Sequence, residues 1–199
     1  MSDQKRLVVG VTGSFGSGKS SVGQILRGLG ARQVIDCDRL VHEAFGRGHP
    51  LRRRIRSLFG SSGSLGRREI ARNVFRDLPR LRQLEAILHP YVRRRIRSAL
   101  KRWRRGVVVL EVPLLFETGF DRYCDVTVAV VAGRRNRFKR LRAAGFRPAE
   151  VRARERAQLS EQAKKRRADL FIRNRGTKQQ LVQETKHLWA KLLSTLKGA

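Results

Sequence analysis

The sequence predicts an α/β fold in which five parallel strands form one sheet with helices on both faces. Short apolar, β-branched runs alternate with longer segments whose apolar residues recur at helical spacing. The runs at 107–113 and 125–131 are almost continuously apolar, which is typical of parallel strands buried on both faces. A glycine-rich loop between the first strand and the first helix is the third observation. The predicted strands cover residues 7–12, 33–36, 107–113, 125–131 and 169–172.

The glycine-rich loop, residues 13–20, reads G-S-F-G-S-G-K-S and has the spacing of a phosphate-binding loop. Its glycines allow the backbone to curl so that successive N–H groups point inward at an anion. The helix that follows adds the positive end of its dipole. Lys19 can bridge the β- and γ-phosphates of a nucleotide, and the Ser20 hydroxyl can ligate Mg²⁺. The loop therefore predicts a nucleoside triphosphate site.

The other segments are predicted to be helical. The region before the third strand carries no strand signal and is interpreted as a helical insertion, in which Pro90 marks a helix start. An arginine-rich pair of helices follows the fourth strand. The predicted helices cover residues 21–29, 39–45, 51–59, 67–105, 134–144, 148–167 and 177–196.

Length and composition indicate one domain of 199 residues with room for an insertion. No apolar run reaches membrane-spanning length, and the first residues have no signal-peptide pattern, so we expect a cytoplasmic protein without a membrane partner. Cys37 and Cys124 are too few for a disulfide framework and have no metal-type spacing. We interpret both as buried thiols.

The net charge is +30, from 46 basic and 16 acidic residues. Such a surface attracts polyanions and loses that attraction in salt, which leaves a nucleic-acid partner open. The alternative is an arginine bias on solvated helix faces, together with anionic small substrates. The arginines are spread through most helices, and no RNA-binding signature accompanies them. We therefore expect any nucleic-acid binding to be non-specific.

Two acidic pairs follow predicted strands at the carboxyl edge of the sheet, where open α/β sheets bind ligands. Asp36 can accept the proton of an attacking hydroxyl or hold a metal-bound water, whereas Asp38 fits a helix N-cap better. Glu111 stands where a strand-end carboxylate often supports Mg²⁺; the alternative is a carboxylate paired with one of the many arginines. Glu117 ends the segment that follows.

Several arginines lie on the helix after the fourth strand. Phosphoryl transfer spreads negative charge over the γ-phosphate oxygens, and kinases often supply guanidinium groups from a lid. Arg140 and Arg142 are the candidates here. The alternative is a solvated basic face, which most arginines of this helix must form.

Taken in order, these motifs resemble the dephospho-coenzyme A kinase family over nearly the whole chain. The phosphate loop alone is shared by many enzymes, whereas the ordered set is specific. The matching pieces are G-x-x-G-S-G-K-S at 13–20, D-C-D at 36–38, L-G-R at 65–67, L-H-P at 88–90, P-L-L-F-E at 113–117, R-L at 140–141, Gln158, and A-D with I-R-N-R-G at 168–176.

The resemblance implies a P-loop NTPase fold in a single domain. It implies transfer of the ATP γ-phosphoryl group, with Mg²⁺, to the ribose 3′-hydroxyl of dephospho-coenzyme A, the last step of coenzyme A synthesis. The implied parts are a nucleotide core at 1–59 and 105–199, a helical acceptor-binding subdomain at 60–104 and a lid at 133–160. Another small-molecule kinase, acting on a nucleoside or sugar, and a weakly active homologue that binds nucleic acid are the alternatives.

The resemblance also assigns roles to residues. Asp36 is the base, and Asn174 lies near the adenine. The predicted catalytic residues are Asp36, Lys19, Arg140 and Arg142. The predicted ATP-binding residues are Gly13, Gly16, Ser17, Gly18, Lys19, Ser20, Ser21 and Asn174. The predicted acceptor-binding residues are Asp38, Arg67, His89, Pro113, Leu114, Phe116 and Glu117. The predicted metal ligands are Ser20 and Glu111.

The chain departs from the family pattern at the lid. The pattern there is R-L-x-x-R, but Ala144 stands at the second arginine. Arg142 or Arg147 is the expected substitute. Without one, transition-state charge is partly uncompensated and the rate falls by orders of magnitude, although substrate binding can survive. In addition, Glu111 stands where aspartate is common, and His42 stands where an arginine is usual.

Overall fold

Five parallel strands form one sheet in a computed structural model that describes residues 6–59 and 77–198. Their order in the sheet is β2-β3-β1-β4-β5, and each neighbouring pair is parallel. This confirms the predicted sheet and puts β1 at its centre. The strands are β1 (Arg6–Thr12), β2 (Gln33–Asp36), β3 (Gly106–Glu111), β4 (Val126–Val131) and β5 (Leu170–Arg173).

Helices connect the strands. Among the described residues, no helix is both long and apolar enough to cross a membrane. The helices are α1 (Lys19–Gly28), α2 (Cys37–Ala44), α3 (Leu51–Ser57), α4 (Leu78–Arg102), α5 (Arg134–Ala143), α6 (Pro148–Arg156), α7 (Glu161–Arg167) and α8 (Lys178–Gly198), and a 3₁₀ turn at Phe120–Tyr123 precedes β4.

One apolar cluster covers a face of the sheet and fixes the ends of the glycine-rich loop. Val9 and Val11 of β1 are fully buried in it, together with Leu26 of α1 and Leu192 of α8. Burying each such side chain contributes about 1.5–3 kcal/mol to stability. Since β1 and α1 are both held in this cluster, the loop between them has two fixed ends.

The chain divides into two compact units, Met1–Asp36 with Leu100–Ala199, and Cys37–Ala99. The first contains the whole sheet, and the second contains α2, α3 and most of α4. The predicted core, acceptor subdomain and lid boundaries stay predictions. Cys37 is buried and Cys124 is partly buried, each as a thiol. Burial raises the pKa of the Cys124 thiol to about 12, with Asp121 and other nearby carboxylates adding to the shift.

The prediction that Pro90 starts a helix is wrong. One helix, α4, runs through Pro90 from Leu78 to Arg102. A proline inside a helix removes one backbone hydrogen bond and costs about 3 kcal/mol, so other interactions must offset it. The buried face of α4 continues across the proline, with Leu88 before it and Tyr91 and Ile96 after it. The earlier part of the predicted insertion, residues 60–76, lies outside the described residues.

The single helix predicted over 148–167 is also wrong. The segment forms two helices, α6 and α7, with a break between Arg156 and Glu161. Ser160 caps α7, since its Oγ accepts a hydrogen bond from Ala163 N at 3.1 Å. Within this break, the Leu159 N–H donates to Glu117 Oε1, and Gln158 Oε1 accepts from the Phe15 N–H. Both contacts are part of the candidate functional site.

Candidate functional site

The glycine-rich loop connects the carboxyl end of β1 to α1 and requires glycine at two of its positions. Gly16 has a φ of 77° and Gly18 a φ of 94°, which side-chain-bearing residues rarely adopt. A Cβ on Gly16 would lie 2.8 Å from Leu141 Cγ, and a Cβ on Gly18 would lie 2.2 Å from Asn174 Nδ2. Both the backbone conformation and the close packing therefore exclude a side chain.

Asn174 and Arg140 hold the second half of the loop. Asn174 follows β5, is 5% exposed, and donates from Nδ2 to Ser17 O at 2.8 Å. Arg140 of α5 donates from Nη2 to Asn174 Oδ1 at 2.9 Å and to Asn174 O at 3.0 Å. These contacts join the loop, β5 and α5.

Two buried polar groups beside the loop have no hydrogen-bond partner among the described residues: Arg140 Nη1 and Ser17 Oγ. Arg140 Nη1 lies 3.9 Å from the Cβ position built on Gly18. Lys19 Nζ donates to Gly13 O at 2.8 Å. Unsatisfied buried donors are costly, and a phosphate oxygen accepts from guanidinium, hydroxyl and ammonium groups. The donor set therefore fits the phosphates of a nucleotide.

Two carboxylates end neighbouring strands at the same edge of the sheet. In the β2–β3 pair Asp36 is opposite Glu111, and in the β1–β3 pair Glu111 is opposite Val11. Asp36 is half-buried, whereas Glu111 is 5% exposed. The register thus places Glu111 beside the end of β1, where the phosphate loop starts, and Asp36 one strand further away, since β3 lies between β2 and β1. Asp38 lies in the first turn of α2, so the expectation that it is the N-cap is wrong: the helix begins at Cys37, directly after β2.

Glu111 packs against α1 at a glycine. A Cβ built on Gly23 would lie 1.7 Å from Glu111 Oε1. The carboxylate therefore occupies space that any other residue at position 23 would fill. Gly23 lies one turn along α1 from Ser20, the other predicted metal ligand.

We expect Gly23→Ala to destabilise the protein by about 1–3 kcal/mol because the added methyl overpacks the Glu111 carboxylate. Denaturant unfolding measures the loss. Glu111→Asp, which withdraws the carboxylate by one methylene, should restore most of it in the double variant. Gly28→Ala is the matched control in the same helix, since nothing lies within 4 Å of its Cβ position. Equal losses in Gly23→Ala with and without Glu111→Asp would contradict the packing argument.

The described residues contain no group of three or more His, Cys, Asp or Glu side chains that could hold a metal. Mg²⁺ in phosphoryl-transfer sites is typically bound by one or two protein oxygens, substrate phosphates and water, so it needs no such group. Ser20 at the start of α1 and Glu111 at the end of β3 are oxygen donors of the type that Mg²⁺ prefers. The donor chemistry fits this ion.

A buried ion pair lies beside the sheet edge, between Glu117 and Lys164. The Lys164 side chain is 1% exposed, and its Nζ lies 2.8 Å from Glu117 Oε1. Lys164 also donates to Pro113 O. Burial lowers the pKa of Lys164, against the opposing effect of the Glu117 carboxylate. Glu117 Oε1 accepts from Leu159 N at 2.7 Å, whereas its buried Oε2 has no hydrogen-bond partner in the described part of the chain.

We expect Lys164→Met to cost about 3–5 kcal/mol of unfolding free energy, because it leaves the Glu117 carboxylate buried without its counter-charge. Urea unfolding gives the value. The double variant Lys164→Met with Glu117→Gln should recover part of the loss, since it removes the uncompensated charge. Lys178→Met, at an exposed position of α8, is the control. A loss no larger than that of the control would show that the pair contributes little.

The arginines between residues 134 and 147 differ in burial. Arg137 is 5% exposed and Arg140 is half-buried, while Arg142, Ala144 and Arg147 are exposed. Sequence reasoning did not select Arg137. The sequence does contain a signal for its burial, because Arg137 precedes the apolar Leu141 by four residues, and Leu141 is buried. Residues three and four apart share a helix face, so the buried leucine marks Arg137 as facing inward.

The remaining predicted site residues lie on several different elements. His89 lies in the middle of α4, where burial, with the nearby charge of Arg93, lowers its pKa. Phe116 is 7% exposed, with the Arg167 guanidinium 4.7 Å from its ring centroid. Leu114 is half-buried, and Arg67 lies outside the described residues. Ser21 is exposed in the first turn of α1.

Comparison with known proteins gives a consistent result. The family model described as dephospho-CoA kinase matches residues 7–180. A dephospho-CoA kinase of Thermus thermophilus is 39% identical over 193 residues, which cover 96% of this chain and 95% of that protein.

The crystal structure of TT1252 from Thermus thermophilus has a TM-score of 0.80 and 38% identity, and the match covers 94% of this chain and 98% of that one. A shikimate kinase from Acinetobacter baumannii, solved in complex with shikimate, has a TM-score of 0.58 over 96% of both chains. Its identity is 14%, so it shows the fold alone. Both neighbours agree with the predicted P-loop architecture.

Proposed function

The chain belongs to the dephospho-CoA kinase family, and we propose that it phosphorylates the ribose 3′-hydroxyl of dephospho-coenzyme A with ATP. The observation that carries the proposal is the family match over residues 7–180, together with a phosphate loop at which two buried donors, Ser17 Oγ and Arg140 Nη1, lack a hydrogen-bond partner among the described residues. The products are coenzyme A and ADP.

The reaction is a displacement at the γ-phosphorus. The 3′-hydroxyl oxygen forms a bond to the γ-phosphorus, and the bond between that phosphorus and the oxygen that bridges it to the β-phosphate breaks, so ADP leaves. The hydroxyl proton goes to the Asp36 carboxylate, which stands at the end of β2 on the same edge of the sheet as the loop, with β3 between them. Proton removal by a positioned carboxylate typically accelerates such a step about 10²- to 10⁴-fold.

The phosphates are held by the loop and Arg140 in this proposal. Backbone N–H groups of the loop, including that of Gly16, bind the phosphate chain, Lys19 contacts the β- and γ-phosphates, and Asn174 lies near the adenine. Ser20 and Glu111 would hold Mg²⁺, which neutralises charge on the phosphate oxygens when bound. Arg140 supplies a guanidinium group because its buried Nη1 lies beside Gly18 and has no partner within the described segments.

Arg142 and Arg147 stay predictions for the role of the arginine missing at position 144, although both are exposed. Glu117 is the acceptor-side residue that the contacts support best. Its buried Oε2 lacks a hydrogen-bond donor in the described ranges, and a ribose or amide donor of the acceptor can supply one. Roles for Asp38, Arg67 and His89 rest on the family resemblance.

The decisive experiment is ADP release by the purified chain with ATP, Mg²⁺ and dephospho-coenzyme A, with mass spectrometry of the product. We expect the acceptor to gain one phosphoryl group on its ribose. Nucleosides and gluconate serve as control acceptors. Phosphorylation of a control acceptor without turnover of dephospho-coenzyme A would overturn the proposal. A cytoplasmic location and non-specific nucleic-acid binding stay predictions.

A further inference from the structure

Phe15, at the tip of the phosphate loop, is held on its backbone and on its ring by the lid segment. Its N–H donates to Gln158 Oε1 at 3.2 Å, and its carbonyl accepts from Arg137 Nη1 at 3.1 Å. Its ring packs edge-to-face on Phe146 at a centroid distance of 5.0 Å, and the Arg154 guanidinium lies 4.5 Å from its centroid. All of these contacts come from residues 137–158, outside the phosphate loop, and they restrain the loop at Phe15.

Arg137 is the most constrained member of this group. Its side chain is 7% exposed, its Nη2 lies 2.8 Å from Glu155 Oε1, and its Nε lies 3.6 Å from Glu161 Oε2. Arg137 Nε makes no hydrogen bond within the described residues, so Glu161 contributes its charge, and the close contact to Glu155 directs the guanidinium and its remaining donor. That donor, Nη1, is the one that contacts Phe15 O.

Glu161 anchors the arrangement to the sheet. Its Oε2 accepts from Ala132 N at 3.0 Å, and its Oε1 accepts from Gly133 N at 3.0 Å. These two N–H groups lie between β4 and the start of α5. The negative charge of the carboxylate therefore also interacts favourably with the positive N-terminal end of the α5 dipole. Arg137 is therefore held by a carboxylate that is itself bonded to the end of a central strand.

The Phe15 carbonyl and the Gly16 N–H belong to one peptide group. The peptide group is planar, and no described peptide bond is cis, so the N–H points opposite to the carbonyl. Fixing the carbonyl on Arg137 therefore fixes the direction of the Gly16 N–H, one of the loop donors that a phosphate requires. Gly16 has a φ of 77° and no side chain, so its own structure restricts this peptide group little, and the Arg137 contact supplies the restraint.

We propose that Arg137 is a positioning residue for the ATP phosphates, which orients the loop by holding the carbonyl of Phe15. The proposal rests on ATP being the phosphoryl donor of the proposed function. It assigns to Arg137 a role distinct from that of Arg140, since Arg137 acts through the backbone of the loop.

The test is calorimetric binding of ATP, ADP and adenosine to Arg137→Met, Arg137→Lys and Lys139→Met, each checked for folding by circular dichroism and thermal unfolding. We expect Arg137→Met to weaken ATP and ADP about 10- to 100-fold, as for loss of a charged hydrogen bond, with adenosine affinity unchanged. Arg137→Lys should recover part of the affinity. Lys139→Met, a cation removed from an exposed position of α5, should bind all three as the parent does.

Arg137→Met leaves the Glu155 and Glu161 carboxylates without their ion-pair partner and could fail to fold for that reason. Glu155→Gln is the second variant, to be measured in its place if Arg137→Met does not fold. It loosens the guanidinium without removing it, and a phosphate-specific loss of about 3- to 10-fold is expected. Unchanged ATP affinity in a folded Arg137→Met or Glu155→Gln variant overturns the proposal, as does an equal loss for adenosine. The binding measurements use no acceptor and so test this proposal independently of the proposed function. A parent chain that binds ATP but does not phosphorylate dephospho-coenzyme A would contradict the proposed function, and the Arg137 variants would still test the positioning role.

Discussion

Asp36→Asn should lower kcat for dephospho-coenzyme A about 10²- to 10⁴-fold while ATP still binds with little change in affinity. The amide has nearly the same shape as the carboxylate but cannot accept the proton of the 3′-hydroxyl. Asp36 ends β2 opposite Glu111, so its contribution comes from the edge of the sheet rather than from the phosphate loop. ADP release measures kcat, and calorimetry measures ATP affinity.

Asp77→Asn is a matched control for this change. Asp77 is a partly exposed carboxylate that accepts a hydrogen bond from Arg80 N at the start of α4, and its replacement removes the same charge. It should leave kcat unaltered. If Asp36→Asn turned over as fast as the parent chain, Asp36 would not be the base.

Lys19→Met should lower kcat/KM for ATP about 10²- to 10³-fold, because a charged donor to the β- and γ-phosphates is lost. The Lys19 ammonium donates to Gly13 O at 2.8 Å, at the loop that receives the phosphates. Affinity should fall for ATP and ADP and stay near the parent value for adenosine. Steady-state kinetics and calorimetry separate these effects.

Lys186→Met removes a cation from an exposed position of α8 and is the control for net charge. Because the chain carries a net charge of +30, one cation fewer on a distant surface should change ATP affinity little. A similar loss in both variants would indicate a general charge effect and would exclude a direct phosphate contact for Lys19.

The sheet and the loop could be predicted from the sequence because their signals are local. The three central strands, β3, β1 and β4, are mainly apolar runs, and the loop is recognised by its glycine spacing. Gly16 and Gly18 of the loop have positive φ values. The order of the strands agrees with the pattern of alternating strands and helices. Asp36 and Glu111 could be placed at one sheet edge because parallel strands end on the same side.

The errors arise where tertiary contacts decide the outcome. Pro90 has the local signal of a helix start, but the buried side chains on both sides of it keep α4 continuous. Ser160 caps α7 within a polar run that gives no periodic signal. Arg137 was not predicted because the sequence does not distinguish an arginine that is buried against two glutamates from an arginine that is exposed to solvent. The distant carboxylates that stabilise it lie 18 and 24 positions further along the chain.

Two exposed carboxylates hold the backbone of the sheet. Asp125 accepts a hydrogen bond from Val8 N at 2.7 Å, and Asp169 accepts one from Thr127 N at 2.7 Å, so both are bonded to strands of the sheet. The 16 acidic residues are far outnumbered by the 46 basic ones, and the net charge of +30 gives the chain a positive field that attracts dissolved anions. Both proposed substrates are anions, and such a field raises their encounter rates over a range of about one Debye length. Added salt should therefore slow substrate capture at low concentration more than it slows turnover at saturation.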